Sequence, residues 1–137
     1  FSIMATDIST LVLEKARLGI YPLDKVEPVA LELKKKYLLR GKGDQDKRVR
    51  VVPELRSLVS FRRLNFLDDN FGINEPLDII FCRNVIIYVG QPTQKKLLSK
   101  LAGHLRSGSF IFMGHSETLN GLDLPLAQVS PSVYRKN

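Results

Sequence analysis

A chain of 137 residues with 44% hydrophobic side chains is long enough to bury one real core, and it holds no apolar run near the ~18 residues that a spanning helix needs. A single cysteine, Cys82, rules out an intrachain disulfide framework, and with only two histidines, His104 and His115, no metal site is expected. The net charge of +7 would draw an anionic partner, but the basic residues are scattered, with Lys34-Lys35-Lys36 and Lys95-Lys96 as the short runs, so solvated helix faces are expected rather than a nucleic-acid groove. No signal segment and no membrane insertion are read, and a lone core cysteine suits a cytoplasmic setting.

Residues 1–6 read as a short apolar strand already under way at Phe1, which predicts a piece of a longer protein. Asp7-Ile-Ser-Thr supplies helix-capping side chains, and Leu11, Leu13, Ala16 and Leu18 predict an apolar helix ending at Gly19. Pro22 breaks the chain, and Pro28 opens a second helix running through Lys36. Residues 37–54 change character. Tyr37-Leu-Leu-Arg40 and Arg48-Val-Arg-Val-Val52 are strand-like, with polar Gly41-Lys-Gly-Asp-Gln-Asp-Lys47 between them, so an antiparallel hairpin is expected. Gly41 and Gly43 read as turn residues rather than a phosphate cradle, because no buried strand precedes them and no helix follows at once.

Residues 58–64 predict another strand, stopping at Asn65. The stretch that organises the chain is Leu77-Asp-Ile-Ile-Phe-Cys-Arg-Asn-Val-Ile-Ile-Tyr-Val89. Its unbroken apolar run reads as a strand buried on both faces, in the middle of a parallel sheet. Pro92 then opens an amphipathic helix with Leu97, Leu98, Leu101 and Leu105 inward, expected to end at Ser107-Gly108. Ser109-Phe-Ile-Phe-Met-Gly114 is a further buried strand, and residues 126–135 predict a closing antiparallel pair around Pro131.

Three strands thus end in polar residues: Asp7, Asn65 and the Arg83-Asn84 pair. If the strands run the same way, all three ends meet at the carboxyl edge of one sheet, where α/β folds bind ligands. Asp7 can accept from ribose hydroxyls or cap its helix. Asn65 can read a base edge or cap a turn.

Asp78-Ile-Ile-Phe-Cys-Arg-Asn-Val-Ile-Ile-Tyr88, with Ala5-Thr-Asp-Ile-Ser9 before it and Gly114-His-Ser-Glu117 after it, resembles the chemotaxis receptor glutamate methyltransferases of the CheR type. The resemblance covers nearly the whole chain. It implies an α/β, Rossmann-like, S-adenosylmethionine-dependent methyltransferase fold over residues 1–137, with residues 37–54 as a small inserted antiparallel β-subdomain. It also implies that the family's first strand and cofactor loop are missing. Asp7 would take the ribose of S-adenosylmethionine, Asn65 and Phe66 its adenosine side, and Arg83 and Asn84 would line the cofactor and methyl-transfer site. Tyr88 would face the reacting centre, with Arg83 as the second catalytic candidate. Arg40, Gly41, Gly43 and Arg50 match positions that in some members bind a receptor's C-terminal peptide by strand addition. The third glycine of that hairpin is Lys47 here, and the usual Phe-Asp after the tyrosine is Val89-Gly90.

The partner implied is a methyl-accepting receptor presenting an acidic, glutamate-bearing helix, and the product cofactor is S-adenosylhomocysteine. Two other readings remain open from the residues alone. One is a non-catalytic docking module that keeps the fold; the other, suggested by charge, is a nucleic-acid methyltransferase or binder.

Overall fold

Residues 1–137 are described by a computed structural model, and they fall into two compact units, Phe1–Asn65 and Phe66–Asn137, each with its own sheets and core. The first unit runs β1 (Ile3–Asp7), α1 (Thr10–Leu18), β2 (Ile20–Pro22), α2 (Leu31–Tyr37), β3 (Leu38–Arg40), β4 (Arg48–Val51), α3 (Pro53–Arg56) and β5 (Val59–Arg63). β1 and β5 pair in parallel, with Ile3 opposite Val59 and Asp7 opposite Arg63. α1 begins where Ser9 Oγ accepts the Val12 N–H. It ends at Gly19, whose φ of 61° lets its N–H turn back to the Ala16 carbonyl. Of its apolar residues Leu13 is buried, while Leu11, Val12 and Leu18 are exposed.

The stretch between Tyr37 and Val52 forms the antiparallel β3–β4 pair, with Leu38 opposite Val51 and Arg40 opposite Val49. β2 adds a third strand on the other side of β4, giving the order β2-β4-β3. That strand lies outside residues 37–54. Ile20-Tyr21, caught between Gly19 and Pro22, is too short to carry a periodic signal, and its pairing is decided by β4.

The second unit runs β6 (Leu77–Cys82), α4 (Gln91–His104), β7 (Leu105–Met113), β8 (Leu126–Ser130) and β9 (Val133–Lys136). Its sheet has the order β6-β7-β9-β8, parallel between β6 and β7 and antiparallel beyond. Ile80, Ile111 and Tyr134 stand side by side across β6, β7 and β9 as one buried row. Leu97, Leu98, Leu101 and Ala102 are the buried face of α4, and together the helix face and the row make the core of this unit.

Two features differ from the sequence expectation. β6 is an edge strand of its sheet, not a middle one. Ile80 and Cys82 are buried, but Ile79 and Phe81 are 52% and 70% exposed, with Phe81 stacked on Phe112 at 4.9 Å. An unbroken apolar run does not say which face is covered. α4 also stops at His104 rather than at Ser107-Gly108, and Leu105 instead opens β7 opposite Leu77. Leu105 fits both the helical spacing and a strand start, and strand pairing wins. Gly108, at φ 80°, lies inside β7, whose pairing with β6 shifts register between Leu77 and Ile79.

Candidate functional site

The carboxyl edge of the first unit is built where β1 and β5 stop together. The Leu64 N–H donates to the Asp7 carbonyl at 3.1 Å, which sets Asn65 two residues beyond Arg63, the residue opposite Asp7, on the same edge. Asp7 Oδ1 accepts the Ser9 N–H at 2.8 Å, so this carboxylate fixes the entry to α1. Its second oxygen takes no protein hydrogen bond and its side chain is half-buried. Arg63 closes the edge by donating from Nε to the Ile8 carbonyl at 3.2 Å. The helix-entry role of Asp7 and a ligand role are therefore compatible, since one oxygen serves each.

The carboxyl edge of the second unit is organised by a residue to which the sequence reading gave no role. Glu117 is a buried charged side chain, 4% exposed. Its Oε1 accepts the N–H groups of Val85 at 2.7 Å and Ile86 at 2.9 Å, and its Oε2 accepts those of Asn84 at 2.9 Å and Gly114 at 2.7 Å. Burial alone would push this carboxyl upward, and is the largest single influence on it; the four N–H donors together outweigh it and hold the pKa below the usual range. Asn84 takes the left-handed conformation, φ 59°, which few residues other than glycine adopt. Gly114 is needed for close approach, because a Cβ there would lie 2.6 Å from Glu117 Oε2 and 2.8 Å from Asn84 Oδ1.

The other side of the same loop is held by α4. The Gln94 side-chain amide donates to the carbonyls of Ile86 at 2.9 Å and Val89 at 2.8 Å. Residues 84–89 are thus pinned through their N–H groups by Glu117 and through their carbonyls by Gln94. The side chains of Arg83, Asn84 and Tyr88 remain exposed, Tyr88 at 80%, on a backbone hydrogen-bonded from both sides. Phe66, at the start of this unit, is half-buried and meets Phe71 edge-on at 6.1 Å. Burial, with Glu117 nearby as a further cause, pushes the Cys82 thiol up to about 12, which leaves it protonated and inert.

In the three-stranded sheet, Arg40 lies on the edge strand β3 and Arg50 on the central strand β4, both exposed. Arg50 Nε donates to the Leu18 carbonyl at 3.1 Å. Gly41 packs against the Gln45 backbone, and Gly43, at φ 58°, opens the single 3-10 turn between the strands. No group of three or more His, Cys, Asp and Glu side chains is arranged to hold a metal ion. No helix is long and apolar enough to cross a membrane.

Glu117 was visible in the sequence as the end of Gly114-His-Ser-Glu117, an acidic residue just past a buried strand that neighbours the Arg83-Asn84 strand. Its partners are backbone groups, and these leave no residue pattern to read.

Mixed α/β units whose parallel strands end in carboxylate, amide and guanidinium groups fit the fold of S-adenosylmethionine-dependent methyltransferases. The family described as "CheR methyltransferase, SAM binding domain" matches residues 1–134, and the chain belongs to it. Among curated relatives it is similar to chemotaxis protein methyltransferase 2 of Pseudomonas aeruginosa, 45% identical over 132 residues, covering 96% of this chain and 47% of that protein. It is 41% identical over 135 residues to the chemotaxis protein methyltransferase of Borreliella burgdorferi, covering 98% and 46% of the two chains. Against the Escherichia coli chemotaxis protein methyltransferase the identity is 37% over 134 residues, covering 98% and 47%. The chain spans about half the length of the curated relatives it matches.

Proposed function

We propose that this chain forms the methyl-donor-binding and catalytic part of an O-methyltransferase that uses S-adenosylmethionine to methylate glutamate side chains of chemotaxis receptors. The observation that carries the reading is the loop of residues 83–88, fixed from both sides and presenting Arg83, Asn84 and Tyr88, in a chain that belongs to the CheR family. The residues present suit that donor. The uncommitted oxygen of Asp7 can accept from a ribose hydroxyl, and the exposed amide of Asn84 can both donate and accept. Asn65 and Phe66 serve the adenosine side.

When bound, S-adenosylmethionine supplies an activated methyl group on a sulfonium. The acceptor glutamate, with a pKa of ~4.3, is already ionised at neutral pH and needs no general base. What remains for the protein is alignment, and that favours a rigid loop. The Tyr88 hydroxyl orients the acceptor carboxylate through one hydrogen bond. Arg83 shapes the site, because a tight bidentate ion pair would blunt the nucleophile. The three-stranded sheet, with residues 37–54 as an inserted subdomain, offers the open edge of β3 and the side chains of Arg40 and Arg50 to a receptor's C-terminal peptide, Gly41 and Gly43 shaping the turn. The net charge of +7 favours encounter with an acidic receptor helix.

Calorimetric titration of the intact protein with S-adenosylhomocysteine tests this. Wild type binds, and Asp7→Ala raises Kd about 10- to 100-fold, the loss expected for a hydrogen bond to a charged group. Asn84→Ala raises it about tenfold by the same reasoning for a neutral group. Unchanged binding in both variants would refute the cofactor site. No heat of binding from the wild type would favour the docking module instead.

A further inference from the structure

Glu117 has no acceptor capacity left for a substrate. A carboxylate offers about four lone-pair sites, and four backbone N–H groups fill them. It is therefore neither a base nor a ligand-binding side chain. What it does is bring three consecutive N–H groups, those of residues 84, 85 and 86, onto one anion, a concavity that the chain fills with its own side chain. The same carboxylate reaches the end of β7 through Gly114, so the loop after β6 is tied to the neighbouring strand. Asn84 is left-handed within this arrangement, at φ 59°, a conformation that asparagine tolerates better than most non-glycine residues. Gly114 allows the arrangement, since any side chain there would strike Glu117 Oε2 and Asn84 Oδ1.

We propose that Glu117 is a positioning residue for the methyl-donor site: it sets the backbone of residues 84–86 so that Arg83 and Asn84 present their side chains in the binding geometry. This rests on the functional reading above. It assigns to a buried carboxylate, all of whose acceptor sites are taken by backbone N–H groups, control over donor affinity.

The test is S-adenosylhomocysteine calorimetry on the intact protein, comparing wild type with Glu117→Gln, Gly114→Ala and Asn84→Ala, alongside circular dichroism to count folded molecules. Glu117→Gln turns an amide NH2 toward backbone donors, and Gly114→Ala pushes the carboxylate away without removing it. Both are expected to raise Kd tenfold or more, with one site per folded molecule retained. A purely structural role would lower the folded fraction or the melting temperature and leave Kd at the wild-type value; that result overturns the proposal. If Glu117→Gln does not fold, Glu117→Asp, which keeps the charge but shortens its reach, decides by the same readout, because alanine at Gly114 would also strike Asn84 Oδ1 directly. Asn84→Ala separates the two levels. Wild-type affinity in Asn84→Ala as well as in Asp7→Ala removes the donor-site reading, whereas weakened Asn84→Ala with unaltered Glu117→Gln removes the positioning role alone.

Discussion

Asn84 and Glu117 are 33 residues apart in sequence, and the backbone N–H of the first donates to Oε2 of the second at 2.9 Å. With three companion bonds, this contact makes one side chain the acceptor for the ends of two parallel strands. Replacing Glu117 by alanine leaves those donors, two buried and two part-buried, without this partner, and each buried one costs about 1–3 kcal/mol. Partial rehydration reduces the sum, so a loss of about 2–5 kcal/mol is expected, read from urea midpoints.

The same carboxylate should leave a mark on acid stability. Its folded pKa lies below the unfolded value of ~4.3, so its contribution is fully present above that value and is lost as pH falls through the folded one. The group facing it, the Cys82 thiol, stays neutral throughout that range. Urea midpoints measured from pH 6 downward should fall more steeply for wild type than for Glu117→Ala. Parallel curves would show that the four hydrogen bonds do not favour the ionised form.

Cys82 gives a chemical readout of the same core. With its pKa at about 12 in the folded protein and ~8.5 when unfolded, the thiolate fraction at pH 8 differs about a thousandfold or more between the two states. Iodoacetamide should therefore alkylate native protein far more slowly than urea-unfolded protein. Fast labelling of the native state would contradict the burial of Cys82.

What could be read in the sequence and what could not divide along a physical line. Signals carried by side-chain pattern were legible: the Ser9 cap and Gly19 stop of α1, the start of α4 near Pro92, and the strand ends at Asp7 and Arg83. So was the family, because Phe-Cys-Arg-Asn-Val is a long and unusual string. Features decided by backbone partners were not. The pairing of β2 with β4, the early end of α4 and the edge position of β6 all depend on which strand lies alongside. Glu117 belongs to the second kind, since its four partners are main-chain groups that any residues could supply.

The two glycines between β3 and β4 should respond to alanine differently, because they are glycine for different reasons. At Gly41 a Cβ would fall 1.9 Å from the Gln45 carbonyl oxygen, so the turn cannot keep its shape. Gly43 has φ 58° and open space around its Cα, so alanine there meets only conformational strain, about 1 kcal/mol. Thermal melts should place Gly41→Ala well below Gly43→Ala, which should lie close to wild type. Affinity for a receptor peptide, if β3 is its docking edge, should be lost in the first variant and largely kept in the second. Equal behaviour in both assays would mean that the turn is not a fixed part of that edge.

Tyr88 and Gln94 offer a test of whether the loop acts through its rigidity. Gln94 holds the carbonyls of Ile86 and Val89, which bracket Tyr88. Tyr88→Phe removes one hydroxyl and should lower kcat about tenfold, the equivalent of one hydrogen bond of ~1.4 kcal/mol, with donor affinity unchanged. Gln94→Leu frees the turn and should lower kcat by a comparable factor, while costing about 1–2 kcal/mol of stability. If Gln94 works by holding Tyr88 in place, its loss matters little once the hydroxyl is gone, and the double variant should be no slower than Tyr88→Phe alone. Two independent effects would instead multiply to about a hundredfold. Single-turnover rates with a receptor fragment, measured at saturating donor, distinguish these outcomes, and a multiplicative loss would show that the two side chains serve the reaction separately.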